Sequence, residues 1–224
     1  MSKTFDPMAI SEFARYYGFH YDRIEPSGLV EDVLAEMERG LGGPDSCLPM
    51  IPAYIRPSSG IRPGKTVIAL DAGGTNLRAA LVSFDKNGKA AAGESQKIPM
   101  PGTGTDGPLA ADAFFDKIAA LVVPLIEKAG DRVEGIGFCF SYPMEITKEA
   151  DGILLAFSKE VDAPEVVGKT VGAELRAALS RRNMHAPERI VLLNDTVATL
   201  LFGLSEIPAH ANLRQGKDCY GVEA

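Results

Sequence analysis

The chain has 224 residues, of which 46% are hydrophobic, 24% charged and 7% aromatic, a globular composition that excludes collagen, coiled coil and disorder. A formal charge of −7, from 30 Asp+Glu against 23 Lys+Arg, has the wrong sign for a general nucleic-acid or anionic-membrane surface, so any phosphate must be held locally. Cys47, Cys139 and Cys219 are odd in number, far apart and without CxxC spacing, which favours neither a disulfide framework nor a zinc site and points to reducing cytoplasm. No apolar run nears the ~20 residues of a membrane span, and acids interrupt the stretch where a signal peptide is purely apolar, so the expectation is a soluble, unprocessed protein.

In chain order, Asp6-Pro7 reads as a cap and first turn, with Ile10, Phe13, Ala14 and Tyr17 at helical spacing and Gly18 as a stop. A second helix is expected from near Ser27, with Val30, Val33, Leu34, Met37 and Leu41 on one stripe and Gly42-Gly43 at its end. Prolines at 44, 49, 52, 57 and 63 make the next segment an extended crossing arm. Strands follow at Thr66 to Asp71, at Arg78 to Phe84 and, beyond a Lys86-Asn87-Gly88 turn, toward Ile98. Phe115, Ile118, Ala119, Val122 and Ile126 mark a helix, Gly135 to Tyr142 a strand, Val171 to Leu179 a helix, Arg189 to Asn194 a strand, and Thr196 to Phe202 opens a last helix.

Three strands, then helix, strand, helix, strand, helix, is the ribonuclease-H-like plan: a mixed sheet with an antiparallel flank and helices on both faces. The division expected is a helical arm with its crossing segment over residues 1–62, a sheet domain over 63–204, and a separate start over 205–224.

Three glycine-rich stretches compete to cradle phosphate. Gly60 with Gly64-Lys65-Thr66 misses the P-loop spacing by one residue and enters a strand where that motif needs a helix. Gly102-Thr103-Gly104-Thr105-Asp106-Gly107 fits dinucleotide spacing, but the strand before it closes a meander, and a flexible surface loop suits it better. Asp71-Ala72-Gly73-Gly74-Thr75-Asn76-Leu77-Arg78 joins two strands by a tight turn. There Gly73 and Gly74 let backbone N–H groups approach an anion, and Thr75, Asn76 and Arg78 can bond phosphate oxygens. The same residues also suit a plain hairpin with Gly-Gly in a primed turn.

This last segment resembles the first phosphate motif of hexokinases, in the sugar-kinase, actin and Hsp70 superfamily, and two further matches follow in order. Gly137 to Pro143, followed by Gly152 to Lys159, resembles the sugar-binding signature, and Val191 to Leu200 resembles the segment holding the catalytic aspartate. Leu48-Pro49-Met50-Ile51-Pro52 resembles the lead into the first strand, and the similarity spans roughly Val30 to Leu204. The family's usual Trp-Thr-Lys-Gly is here Phe157-Ser158-Lys159-Glu160, while Ala72, Leu77 and Ala198 are packing changes at the site margin.

The resemblance implies transfer of the γ-phosphoryl group of MgATP to the primary 6-hydroxyl of a glucose-like hexose, the first step of glycolysis, in the cytoplasm. Asp195 is implied as catalytic base and substrate ligand, with Ser141, Ser158, Lys159 and Asn194 on the sugar hydroxyls. Asp71 is implied to orient Mg²⁺ through water, and Gly73, Gly74, Thr75, Asn76 and Arg78 to brace the phosphates. The family's second lobe follows the catalytic aspartate, so this chain reads as the N-terminal half of such an enzyme, inactive alone and prone to self-association through uncovered apolar stripes.

Single residues have plainer uses. Asp195 before Thr196 suits a helix cap, Lys159 a solvated surface, Ser141-Tyr142-Pro143 a strand end, and Phe157 a core position; His20, His185 and His210 lack ligand spacing. The alternative function is a non-catalytic sugar- or partner-binding module of the same fold.

Overall fold

In a computed structural model, residues 7–43, 45–48, 50–55, 63–104, 107–158 and 160–206 are described. The chain divides into two compact units, Met1–Ile51 and Pro52–Ala224.

The first unit holds α1 (Pro7–Tyr16) and α2 (Pro26–Gly42). Asp6, expected to cap α1, lies outside the described residues. Gly18 ends this helical segment in the left-handed region at φ 80°, where a side chain would be strained. The cap of α2 is Glu25, whose carboxylate accepts from the Ser27 and Gly28 amides while Pro26 takes the first turn. Between the helices His20 is buried, with Nε2 3.0 Å from Ser11 Oγ and Nδ1 2.5 Å from Asp22 Oδ1. The His20 hydrogen bond, aided by Arg15, holds the Asp22 carboxyl below its usual range. Most of the apolar stripe of α2 is exposed, including Val30, Val33, Leu34 and Leu41.

The second unit is built on one sheet. Its strands are β1 (Thr66–Ala72), β2 (Asn76–Phe84), β3 (Ala90–Pro99), β4 (Val133–Phe140) and β7 (Arg189–Leu193). Their order is β3-β2-β1-β4-β7, with β1–β2 and β2–β3 antiparallel and β1–β4 and β4–β7 parallel. This is the ribonuclease-H-like arrangement. A short hairpin of β5 (Met144–Ile146) and β6 (Gly152–Leu154) adds to the expected elements; three residues per strand are too few to show period-two alternation in the sequence.

Alternation sets the faces. Ile68, Leu70 and Ala72 of β1 pair in register with Ile136, Phe138 and Phe140 of β4, and all six are buried. Over this face lie α3 (Ala111–Ala129), packed on β1, β2 and β3, and α4 (Val171–Arg181), packed on α3 and β7. Phe114, Phe115, Ile118, Val122 and Leu125 line the buried stripe of α3, each contributing about 1.5–3 kcal/mol of transfer free energy. Ala72 and Leu77, expected as packing changes, are fully buried in this core. The opposite face, carrying Ala69, Asp71, Gly137, Cys139, Val191 and Leu193, is only partly buried or exposed. The last helix, α5 (Asp195–Glu206), touches β4.

Candidate active site

Parallel pairing brings three strand ends to one edge. Asp71 lies opposite Cys139, and Cys139 opposite Leu193, so Gly73, Ser141 and Asn194-Asp195 each follow a strand that ends there. With neighbouring strands ~4.8 Å apart, the outer two ends are ~10 Å from one another. One bound ligand can touch both.

At the β1 end, residues 73–75 connect β1 to β2. Asp71 and Arg78 are register partners, and Arg78 Nη1 donates to Asp71 Oδ2 at 2.8 Å with both side chains about half exposed. In water such a pair adds at most ~1 kcal/mol to stability, but it presents a cation and an anion side by side at the sheet edge. Asn76 Nδ2 donates to Thr75 Oγ1 at 2.8 Å, which leaves the hydroxyl's own proton free to donate.

The turn differs from the primed hairpin in its backbone. The positive-φ glycines among the described residues are Gly18, Gly43, Gly64, Gly88, Gly102, Gly104, Gly107, Gly130 and Gly168, whereas a type I′ turn would need left-handed residues at its centre. The N–H of Gly73 is also committed, donating to Asn76 O at 3.0 Å. Gly73 therefore offers close approach to an anion, and the N–H of Gly74 is the glycine donor left to meet one.

At the β7 end the helix cap falls mainly to Asn194. Asn194 Oδ1 accepts from the Thr196 amide at 2.9 Å and the Thr196 hydroxyl at 2.6 Å, and Asn194 O accepts from Ala198 N. Asn194 thus starts α5, and Asp195 stands exposed in its first turn, one carboxylate oxygen 2.9 Å from the Thr196 amide. Spending Oδ1 on the cap leaves the Asn194 amide Nδ2 to donate to a ligand.

Between these ends, Ser141 continues β4, its N–H donating to Ala72 O at 3.1 Å. Ser158 is exposed and follows Phe157, whose ring meets Tyr142 at 5.0 Å and Phe114 at 5.7 Å. Leu155 N donates to Pro143 O, so the segment before Ser158 is tied to the β4 end. Lys159 lies outside the described residues.

The competing glycine stretches have structural roles. Gly64 donates to Phe84 O beside the hairpin, Lys65 reaches Glu134 at 3.8 Å, and Gly60 is outside the described residues. In the second stretch Gly104 and Gly107 are exposed, but Gly102 is buried, has φ 80°, and bonds through its carbonyl to Asp162 N at 2.8 Å. An added Cβ there would lie 3.1 Å from Asp162 O. Thr105 and Asp106 are outside the described residues.

Among the described residues no group of three His, Cys, Asp or Glu is placed to hold a metal ion. A single half-exposed carboxylate, Asp71, paired with Arg78, fits magnesium only in the form that keeps its waters and binds chiefly through phosphate.

The family model described as Hexokinase matches residues 11–204. Hexokinase-2 of Homo sapiens is 31% identical over 177 residues, covering 74% of this chain and 18% of that protein. Hexokinase-1 of Schizosaccharomyces pombe is 32% identical over 197 residues, covering 81% of this chain and 40% of that protein. Among solved structures, the hexokinase from Schistosoma mansoni complexed with glucose superposes with a TM-score of 0.55 at 25% identity, over 70% of this chain and 35% of that one. The chain thus spans less than half the length of these relatives.

Proposed function

Since the chain belongs to the hexokinase family, we propose that it carries one half of a sugar-phosphorylating site that moves the γ-phosphoryl group of MgATP to the 6-hydroxyl of a glucose-like hexose. The observation that carries this reading is the shared sheet edge, where Asp195 follows β7 and the Asp71 to Arg78 turn caps β1, two strands away.

Asp195 takes the proton of the 6-hydroxyl as that oxygen bonds the γ-phosphorus and the bond from γ-phosphorus to ADP breaks. A carboxylate is a weak base for an alcohol, so it acts late, as the transition state loosens, contributing about 10²- to 10⁴-fold. Asn194 Nδ2, Ser141, Ser158 and Lys159 orient the sugar through its hydroxyls, which penalises analogues lacking one of them. The Gly74 N–H, the Thr75 hydroxyl, Asn76 and Arg78 hold phosphate oxygens, with Gly73 allowing close approach. Magnesium, held by Asp71 through water, would neutralise phosphate charge.

On this reading residues 1–62 are a helical arm with its extended crossing segment, 63–204 the ribonuclease-H-like small lobe, and the setting is the cytoplasm. Exposed Phe13, Val30, Leu34 and Leu41 give the isolated chain a tendency to self-associate.

The test is to incubate the full-length gene product with MgATP and single hexoses and to identify the product by phosphorus NMR. A hexose 6-phosphate is expected. Sugar binding with no phosphorylated product would select the non-catalytic module instead.

A further inference from the structure

Tyr142 sits where the sugar-facing and phosphate-facing segments meet. Its side chain is 1% exposed, its ring lies 4.9 Å from that of Phe140 and 5.0 Å from that of Phe157, and its phenol donates to the backbone carbonyl of Gly73 at 2.8 Å. Burial pushes the phenol up to about 12, so at neutral pH it keeps its proton and donates.

A peptide group is planar, and in the trans form its C=O and N–H point in opposite directions. The carbonyl of Gly73 and the N–H of Gly74 belong to one such group. Tyr142 approaches from the core side, with Phe140 and Phe157. Asp71 and Arg78 stand on the other face, since Leu70, Ala72, Leu77 and Ala79 alternate with them toward the core. Pulling the Gly73 carbonyl toward the core turns the Gly74 N–H toward Asp71 and Arg78. A second clamp holds the far side of the turn, where Met100 N donates to Thr75 O at 3.0 Å.

We propose that Tyr142 is a positioning residue of the phosphate turn: its hydroxyl fixes the Gly73–Gly74 peptide plane so that the Gly74 N–H faces the bound phosphate, and it ties that turn to the sugar-contacting segment. The proposal rests on the phosphate-holding role given above to this turn. Removing the hydroxyl lets the peptide plane rotate, which weakens phosphate binding and leaves the sugar contacts in place.

The experiment uses the full-length gene product and its Tyr142→Phe variant, which keeps the ring between Phe140 and Phe157. Calorimetry with magnesium tripolyphosphate, and separately with glucose, should show a loss of about 5- to 10-fold for tripolyphosphate, the scale of one hydrogen bond, and less than twofold for glucose. The KM for ATP should rise by a similar factor. Equal tripolyphosphate affinity in both proteins, or equal loss for tripolyphosphate and glucose, overturns the proposal, as does a parent that binds no tripolyphosphate. A parent that binds tripolyphosphate in a Tyr142-dependent manner but phosphorylates no hexose upholds the proposal and refutes the kinase reading. A second measurement needs no variant. In ¹⁵N-glycine-labelled parent protein, magnesium tripolyphosphate should shift the Gly74 amide strongly and the Gly73 amide little, because the latter already donates to Asn76; the reverse pattern overturns the proposal.

Discussion

Asn194 closes the first turn of α5 through Thr196, its Oδ1 accepting from both the amide and the hydroxyl of that residue. Asp195 shares only the Thr196 amide, through one carboxylate oxygen at 2.9 Å, and stands exposed at the strand end. Two adjacent residues of similar shape are placed differently: Asn194 holds both the amide and the hydroxyl of Thr196, while Asp195 holds the amide alone and keeps its second carboxylate oxygen exposed.

Substitutions at 194 separate these uses. Asn194→Asp keeps a capping oxygen and loses the Nδ2 donor, so thermal unfolding should change little while hexose affinity falls. Asn194→Ala loses both, and unfolding free energy should drop by about 1 kcal/mol. Paired denaturation and sugar titration of the two variants check this, and equal sugar affinity in wild type and Asn194→Asp would remove Asn194 from the sugar site.

Gly73 and Gly102 make opposite demands. A Cβ on Gly73 would meet only Asn76 O at 3.5 Å, an ordinary contact. Gly73→Ala should therefore leave stability unchanged or raise it by up to about 1 kcal/mol while raising the KM for ATP several-fold, since the methyl group occupies space the phosphates approach.

Gly102→Ala carries the reverse expectation. Its φ of 80° and a Cβ position 3.1 Å from Asp162 O should cost more than about 1–2 kcal/mol. Chemical denaturation of the two alanine variants side by side gives the contrast.

Much of this architecture is legible in the amino-acid order, and the reasons are local. The apolar runs Val67 to Leu70 and Ile190 to Leu193 announce strands, and strand order places their ends. Other features depend on partners distant in sequence. Nothing near Tyr142 shows that its hydroxyl meets a carbonyl 69 residues away. Gly102 looks like the polar surface that Gly104 and Gly107 are until Asp162 is seen against it. Asn194 and Asp195 are both good cap formers and share the Thr196 amide, so only the Thr196 hydroxyl, which bonds Asn194, distinguishes them. Glutamate is seldom a cap, yet the Glu25 carboxylate reaches two amides.

Alkaline titration tests the burial of Tyr142. Its phenol is raised from 10.0 to about 12 in the folded state, so the folded protein holds that proton more tightly than the unfolded chain. The stability this confers is complete below pH 10 and is lost as pH rises from 10 toward 12. Wild type should exceed Tyr142→Phe in Tm at pH 8, with the gap narrowing above pH 10; a gap constant from pH 8 to pH 11 would show that the phenol is not buried as described.

The most direct measurement is turnover by an Asp195→Ala variant of the full-length gene product, set beside its affinity for the hexose. The account predicts a fall in kcat of at least ~10²-fold with sugar affinity changed only a few-fold. Undiminished turnover would contradict it, because the carboxylate at the end of β7 would then have no part in moving the proton.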